Sequence, residues 1–195
     1  SGHDLATVSW KTEYDVLSTL ADLGHDVQQL GVKDELTGIR QAIAEGNPHI
    51  AFNLLEAFHE IGSFDQNLVA YLELLRMPYT GCNPRGLLLS RDKALSKKLL
   101  AYHRIPMPDF SVCRMGRSVR RPKRMGFPLI VKSLTQDASL GISQASVVHD
   151  DVKLVDRVQF IHQNLGTDAI IEQFVEGREL YVGIMGNHRL QCFPV

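Results

Sequence analysis

Hydrophobic residues recur along the first part of the chain with two alternating periods. Spacings of three and four residues predict helices over 16–23, 36–43 and 63–75, the last opened by a sequence of capping-box form. Short apolar runs predict strands over 26–32 and 49–55. Strands that alternate with helices at this spacing are typical of a parallel α/β sheet, and we predict that architecture here.

The predicted N-terminal α/β domain covers residues 1–82, and the pattern then changes to helices mixed with antiparallel strands. We predict a central α+β domain over 83–168 and the beginning of a third unit over 169–195. The predicted helices cover 91–103 and 152–161, and the predicted strands cover 127–132, 141–148, 169–175, 180–185 and 189–195.

Composition argues against several classes of protein. With 195 residues, 44% hydrophobic and 22% charged, the chain has the composition of a globular protein. No apolar run approaches the ~18 residues of a membrane span, and a formal net charge of −1 argues against a nucleic-acid binder. The cysteines have no metal-like spacing and the first residues no secretory signal, so we expect a cytoplasmic protein with reduced thiols.

One segment, 114–124, is nevertheless rich in arginine and lysine. Proteins that bind single-stranded nucleic acid combine such cations with aromatic side chains on which bases stack, and this segment has none. We therefore interpret it as a solvated loop between strands.

Five short motifs follow one another between residues 77 and 180. They are Met-Pro-Tyr-Thr-Gly at 77–81, Arg-Asp-Lys-Ala-Leu-Ser-Lys at 91–97, Ile-Pro-Met-Pro at 105–108, Gly-Phe-Pro-Leu-Ile-Val-Lys at 126–132 and Ile-Ile-Glu-Gln-Phe-Val-Glu-Gly-Arg-Glu-Leu at 170–180. The series resembles the ATP-grasp carboxylate–amine ligases, most closely the D-alanine–D-alanine ligase group. The resemblance implies an N-terminal parallel-sheet (pre-ATP-grasp) domain followed by an α+β ATP-grasp domain whose C-terminal part is incomplete.

The same resemblance implies an ATP-dependent ligase that forms a peptide or amide bond through an acylphosphate. Its partners would be ATP and amino acids or small peptides, without nucleic acid or membrane, and a homodimer is left open. Two alternatives are a non-catalytic nucleotide-binding module of the ATP-grasp fold and an ATP-grasp ligase for a different amino acid or peptide.

Lysines and a small loop are the expected phosphate ligands. Lys93 lies on a predicted helix and Lys132 ends an apolar strand, and a lysine supplies a point charge that suits a phosphate. By resemblance, these two side chains hold the α- and β-phosphates of ATP. The resemblance also assigns Ser139 and Gly141 to the loop over the phosphates, where amides and a hydroxyl act as donors.

The adenosine part of the nucleotide is assigned to the last motif. By resemblance, Glu172, Gln173, Phe174 and Val175 form the hinge that meets the adenine edge, and Glu179 binds the ribose hydroxyls. A carboxylate suits two vicinal hydroxyls because it offers several lone pairs. The alternation of side chains around Glu179 is equally typical of a half-buried strand.

The resemblance implies Mg²⁺ as a second cofactor, with ligands expected downstream of Val195 and none in this chain. The phosphate loop also departs from the family pattern. Ala138 stands where the D-alanine–D-alanine ligases usually have a serine that positions substrate, and Ser133 where a proline is common. We therefore expect D-alanine to be a poor substrate.

Overall fold

The computed structural model of the protein describes residues 10–136 and 142–195. The chain divides into two compact units, Ser1–Ser96 with Thr135–Asp137, and Lys97–Leu134 with Ala138–Val195. Each unit has a hydrophobic core of its own. The boundaries expected after residues 82 and 168 remain predictions.

Helices dominate the described part of the first unit. They are α1 (Lys11–Asp22), α2 (Thr37–Gly46), α3 (Asp65–Leu74), α4 (Pro84–Arg91) and the first residues of α5 (Lys93–Tyr102). The helices predicted over 16–23, 36–43 and 63–75 are confirmed within one or two turns. Helix α2 ends where Asn47 takes a left-handed backbone conformation, with φ of 44°.

The strands predicted over 26–32 and 49–55 are wrong. Only Ala51 makes a strand-like pairing, a parallel bridge to Tyr79 in which its amide donates to the carbonyl of Pro78 at 2.8 Å. A parallel sheet needs several paired strands covered on both faces. Among the described residues of this unit only two isolated bridges form, Ala51 with Tyr79 and Phe58 with Ile61, so the apolar side chains pack against helices instead.

The core of the first unit is built from α2, α3 and the segment that follows α3. Its buried members are Ile39, Leu68, Leu72 and Met77. The predicted capping box of α3 does not form, because Ser63 lies in a 3-10 turn, Gly62–Phe64, ahead of the helix. The carboxylate of Asp65 accepts the amide hydrogen of Gln66 at the helix start.

The helix predicted over 91–103 is interrupted at Asp92. Its Oδ1 accepts from the amides of Ala94 (3.0 Å) and Leu95 (2.9 Å), so this side chain caps α5. Helix α4 was not predicted. Its sequence signal is Asn83-Pro84, because Asn83 caps the helix by accepting from the Gly86 amide at 2.8 Å and proline favours the first helical position.

The second unit contains a four-stranded antiparallel sheet with one long helix against it. The strands are β1 (Phe110–Cys113), β2 (Leu129–Ser133), β3 (Val147–Val148) and β4 (Ala169–Gln173), in the order β1-β4-β2-β3, and the helix is α6 (Asp151–Leu165). Asp150 caps α6 by accepting from the Lys153 amide at 2.7 Å, and Gly166 ends it in a left-handed conformation. The predicted strands at 127–132 and 169–175 and the helix at 152–161 are confirmed in type.

Other strand predictions in this unit are too long. The described part of 141–148 contains a 3-10 turn, Gln144–Ser146, before the two-residue strand β3. The segments 180–185 and 189–195 pair only as β5 (Ile184–Met185) and β6 (Gln191–Cys192). The side chains of these two short strands are exposed, so no burial of apolar surface stabilises a longer pairing between the two segments.

Candidate functional site

The two faces of the four-stranded sheet carry different kinds of side chain. On one face, core residues of the strands pack against Leu154, Val158 and Ile161 of α6, and they are Cys113, Leu129, Val131, Ala169 and Ile171. Because side chains alternate along a strand, the other face carries Phe110, Ile130, Lys132, Ile170 and Glu172. The ionisable residues predicted on β2 and β4 therefore share the face opposite α6.

Glu172 joins two lysines on this second face. Its Oε2 accepts a hydrogen bond from Nζ of Lys132 at 3.1 Å, and its Oε1 lies 3.4 Å from Nζ of Lys97, which projects from α5. The Glu172 side chain is 8% exposed, against 27% for Lys132 and 14% for Lys97. The structure thus brings together two residues of the predicted site and one that was not predicted.

The charges of this cluster favour an anionic ligand. A buried carboxylate is stable only with cationic or hydrogen-bonding partners, and Glu172 has both. Two lysines and one glutamate leave one net positive charge at this place on the sheet. The Lys97 ammonium also lies 5.8 Å from the centre of the Phe110 ring, within cation–π distance.

Lys97 was missed at the sequence level, although it belongs to one of the quoted motifs. It lies one helical turn after Lys93 on α5, and this spacing of four residues is the signal that was available. Its partner, Glu172, is distant in sequence, so only the folded structure reveals the contact.

The remaining predicted phosphate ligands are only partly described. Lys93, in the first unit, donates from Nζ to the carbonyl of Gln136 at 2.6 Å, at the start of the predicted phosphate loop. Ser139 and Gly141, and with them Ala138, lie outside the described residues.

The predicted adenine hinge leaves the sheet after Gln173. The Gln173 amide donates to the carbonyl of Asp109 at 2.9 Å, and the Phe174 amide donates to that of Pro128 at 3.2 Å. The Gln173 side chain also donates to the Pro128 carbonyl at 3.0 Å, and Val175 is exposed. These bonds anchor the start of the hinge to the residue before β1 and to the segment before β2.

Glu179 lies in the exposed segment between β4 and β5. Its Oε2 accepts a hydrogen bond from the hydroxyl of Tyr181 at 3.2 Å, and both side chains are solvent-exposed. The ribose role of Glu179 therefore stays a prediction.

The arginine-rich segment 114–124 is tied into the second unit. Arg121 donates to both carboxylate oxygens of Asp151, at 2.9 and 3.4 Å, and to the carbonyl of Met125. Hydrogen bonding to Arg121 lowers the pKa of the Asp151 carboxyl. Arg124 pairs with Asp109 at 3.4 Å. Two cations of the segment, Arg121 and Arg124, thus bind carboxylates of the protein itself.

Comparison with known proteins identifies the class of this fold. The fold is similar to that of a D-alanine–D-alanine ligase from Bacillus anthracis, with a TM-score of 0.66 at 21% identity, covering 91% of this chain and 56% of that one. A second structure of the Bacillus anthracis ligase, complexed with ATP, gives a TM-score of 0.63 at 19% identity, with coverage of 95% and 66%. The protein has an α/β fold of the D-alanine–D-alanine ligase type.

Sequence comparisons point to the same group of proteins. Residues 99–195 match the family described as "D-ala D-ala ligase C-terminus". A D-alanine–D-alanine ligase from Syntrophotalea carbinolica is 30% identical over 190 residues, and an uncharacterised Sinorhizobium fredii protein, y4sG, is 31% identical over 185 residues. These matches cover 96% and 92% of this chain but only 58% and 53% of those relatives. The predicted resemblance is confirmed: the protein is D-alanine–D-alanine ligase-like.

Proposed function

We propose that the protein acts as an ATP-dependent ligase that forms a peptide or amide bond through an acylphosphate. The observation that supports this most is the cluster of Lys97, Lys132 and Glu172 on the sheet face opposite α6, with its net positive charge. An anionic nucleotide phosphate suits such a site because a lysine ammonium is a compact, mobile donor. The similarity to D-alanine–D-alanine ligases supplies the reaction class.

In this proposal Lys132 binds a phosphate of ATP, and the segment after Phe174 meets the adenine. Since the amides of Gln173 and Phe174 already donate within the protein, a backbone N–H donor to the adenine edge would come from Val175 onward. Following the resemblance, we assign the phosphates to Lys93, Ser139 and Gly141. The ribose is assigned to Glu179.

The proposed reaction has two steps. A substrate carboxylate attacks the γ-phosphorus of ATP, and the bond between that phosphorus and the bridging oxygen of the β-phosphate breaks. ADP departs with the electron pair of this bond, and the substrate becomes an acylphosphate. An amine then attacks the acyl carbon, phosphate departs with the electron pair of the C–O bond, and the amine loses a proton. The chain's own residues contribute by orienting ATP and by neutralising its charge.

Mg²⁺ belongs to the proposal only as a companion of ATP. Within 10–136 and 142–195, no group of three or more His, Cys, Asp or Glu side chains is placed to hold a metal ion. The Mg²⁺ ligands stay a prediction, expected downstream of Val195.

The finer features of the proposal follow the sequence predictions. We assign residues 1–82 to an N-terminal pre-ATP-grasp domain, and amino acids or small peptides to the substrate sites. We place the protein in the cytoplasm and leave a homodimer open. Across the described ranges, no helix combines the length and the apolar character needed to cross a membrane.

ADP release tests this function. The protein would be incubated with ATP, Mg²⁺ and a panel of D- and L-amino acids, with a Lys132→Met variant as control. We expect release that depends on an added amino acid and is lost in the variant, with D-alanine a poor substrate because of Ala138. ATP binding without amino-acid-dependent release would contradict the ligase and indicate a nucleotide-binding module.

A further inference from the structure

The contact between Lys97 and Glu172 has no place among the roles assigned so far. One carboxylate serves two cations, with Lys97 on Oε1 at 3.4 Å and Lys132 on Oε2 at 3.1 Å. The two lysines differ in their surroundings. Lys97 is 14% exposed and lies close to the ring of Phe110, the register partner of Glu172, whereas Lys132 is 27% exposed. Lys132 is therefore the cation with more access to a ligand.

A phosphate that binds Lys132 competes directly with Glu172 for the same ammonium. If Lys132 were the sole cation of this carboxylate, its departure would leave a buried charge without compensation, which is strongly unfavourable. Lys97 removes this penalty because it stays on the other oxygen. The geometry thus allows Lys132 to change partner while Glu172 stays paired.

We propose that Lys97 is a positioning residue of the nucleotide site. It stays paired with the Glu172 carboxylate, so that Lys132 can leave Glu172 and bind a phosphate. The inference rests on the proposed function, because it takes ATP as the ligand. Lys97 acts through Glu172 and makes no contact with the nucleotide in this scheme. Its contribution is to the affinity for ATP.

A double-mutant cycle tests this role, with calorimetry of ATP binding to the wild-type protein, Lys97→Met, Glu172→Gln and the double variant. We expect Lys97→Met to weaken ATP binding by on the order of tenfold to a hundredfold, the range of a hydrogen bond to a charged group. In the Glu172→Gln background the same change should have almost no effect, because a neutral amide needs no cation. A residue with a merely structural role would not lose its effect in this way.

Two further variants control for charge and folding. Lys98→Met removes the neighbouring, exposed lysine of α5 and should bind ATP as the wild type does. Lys97→Arg keeps a cation on Glu172 and should retain most of the affinity, even if Lys97→Met proves unfolded by circular dichroism. A large loss of affinity in folded Lys97→Arg would overturn the inference.

The remaining outcomes separate the inference from the proposed function. Wild-type affinity in folded Lys97→Met, or equal weakening in both backgrounds, would overturn the role of Lys97 alone. Absence of ATP binding by the wild-type protein would overturn the proposed function and the inference with it.

Discussion

Lys132 Nζ and Glu172 Oε2 are joined across neighbouring strands by a diagonal hydrogen bond of 3.1 Å. The register partner of Lys132 is Ile170, two residues before Glu172, so the pair reaches along the sheet face. A shift of the register by one residue would turn Lys132 towards α6 and separate the charges. The pairing of β2 with β4 therefore fixes the candidate site.

Glu172→Gln should destabilise the second unit. The substitution leaves Lys97 and Lys132 close together without a carboxylate, and an uncompensated buried charge costs about 1–3 kcal/mol or more. Urea unfolding followed by circular dichroism would measure the loss, with Glu176→Gln, at an exposed position, as the matched control. Equal stability of the two variants would show that the pairs contribute nothing to folding.

Asp92→Ala should weaken the start of α5. The carboxylate accepts from the amides of Ala94 and Leu95, and loss of such a cap costs about 0.5–2 kcal/mol. Asp92→Asn keeps an acceptor oxygen and should retain most of this stability. Thermal unfolding of both variants tests the prediction, which fails if alanine and asparagine are equivalent.

The Arg121–Asp151 pair should make stability depend on pH in the acid range. Because hydrogen bonding to Arg121 lowers the pKa of Asp151 in the folded protein, the pair stabilises the fold above the usual carboxyl range. The contribution disappears as the pH falls through the lowered folded pKa.

Melting temperatures measured from neutral to strongly acidic solution would reveal this dependence. The difference between wild type and Asp151→Asn should be present at neutral pH and vanish in acid. Asp156→Asn, an exposed position on the same helix, is the control. A wild-type advantage over Asp151→Asn that persists in strong acid would contradict the assignment.

Leu154→Ala should destabilise the second unit by about 2–5 kcal/mol, because this fully buried side chain packs between α6 and the sheet. Val152→Ala on the same helix changes a side chain that is 70% exposed and should have little effect. Denaturant unfolding compares the two, and similar losses would place the core elsewhere.

Local signals in the sequence predicted helix α6 and the two longer strands of the second unit. Helix α6 combines apolar spacing with an aspartate cap and a terminal glycine, and each of these acts within a few residues. The strands expected in the first unit failed because a strand depends on neighbours, and at Ala51 only one bridge forms among the described residues.

Lys132 and Glu172 could be predicted as site residues because their motifs are contiguous. The contact between them, and that of Lys97 with Glu172, could not be predicted. The first depends on strand register and the second on where α5 places one side chain. Helix α4 was missed because its consecutive leucines at 87–89 lack helical spacing, although Asn83-Pro84 marks its start.

The most direct test of the account is the affinity for ATP of the wild-type protein and of Lys132→Met, measured by calorimetry with Lys153→Met as an exposed control on α6. The account predicts that the wild type and the control bind ATP alike and that Lys132→Met loses about 1.5–3 kcal/mol of binding free energy. Equal binding by all three, or no binding by the wild type, would contradict the placement of a nucleotide site on this face of the sheet.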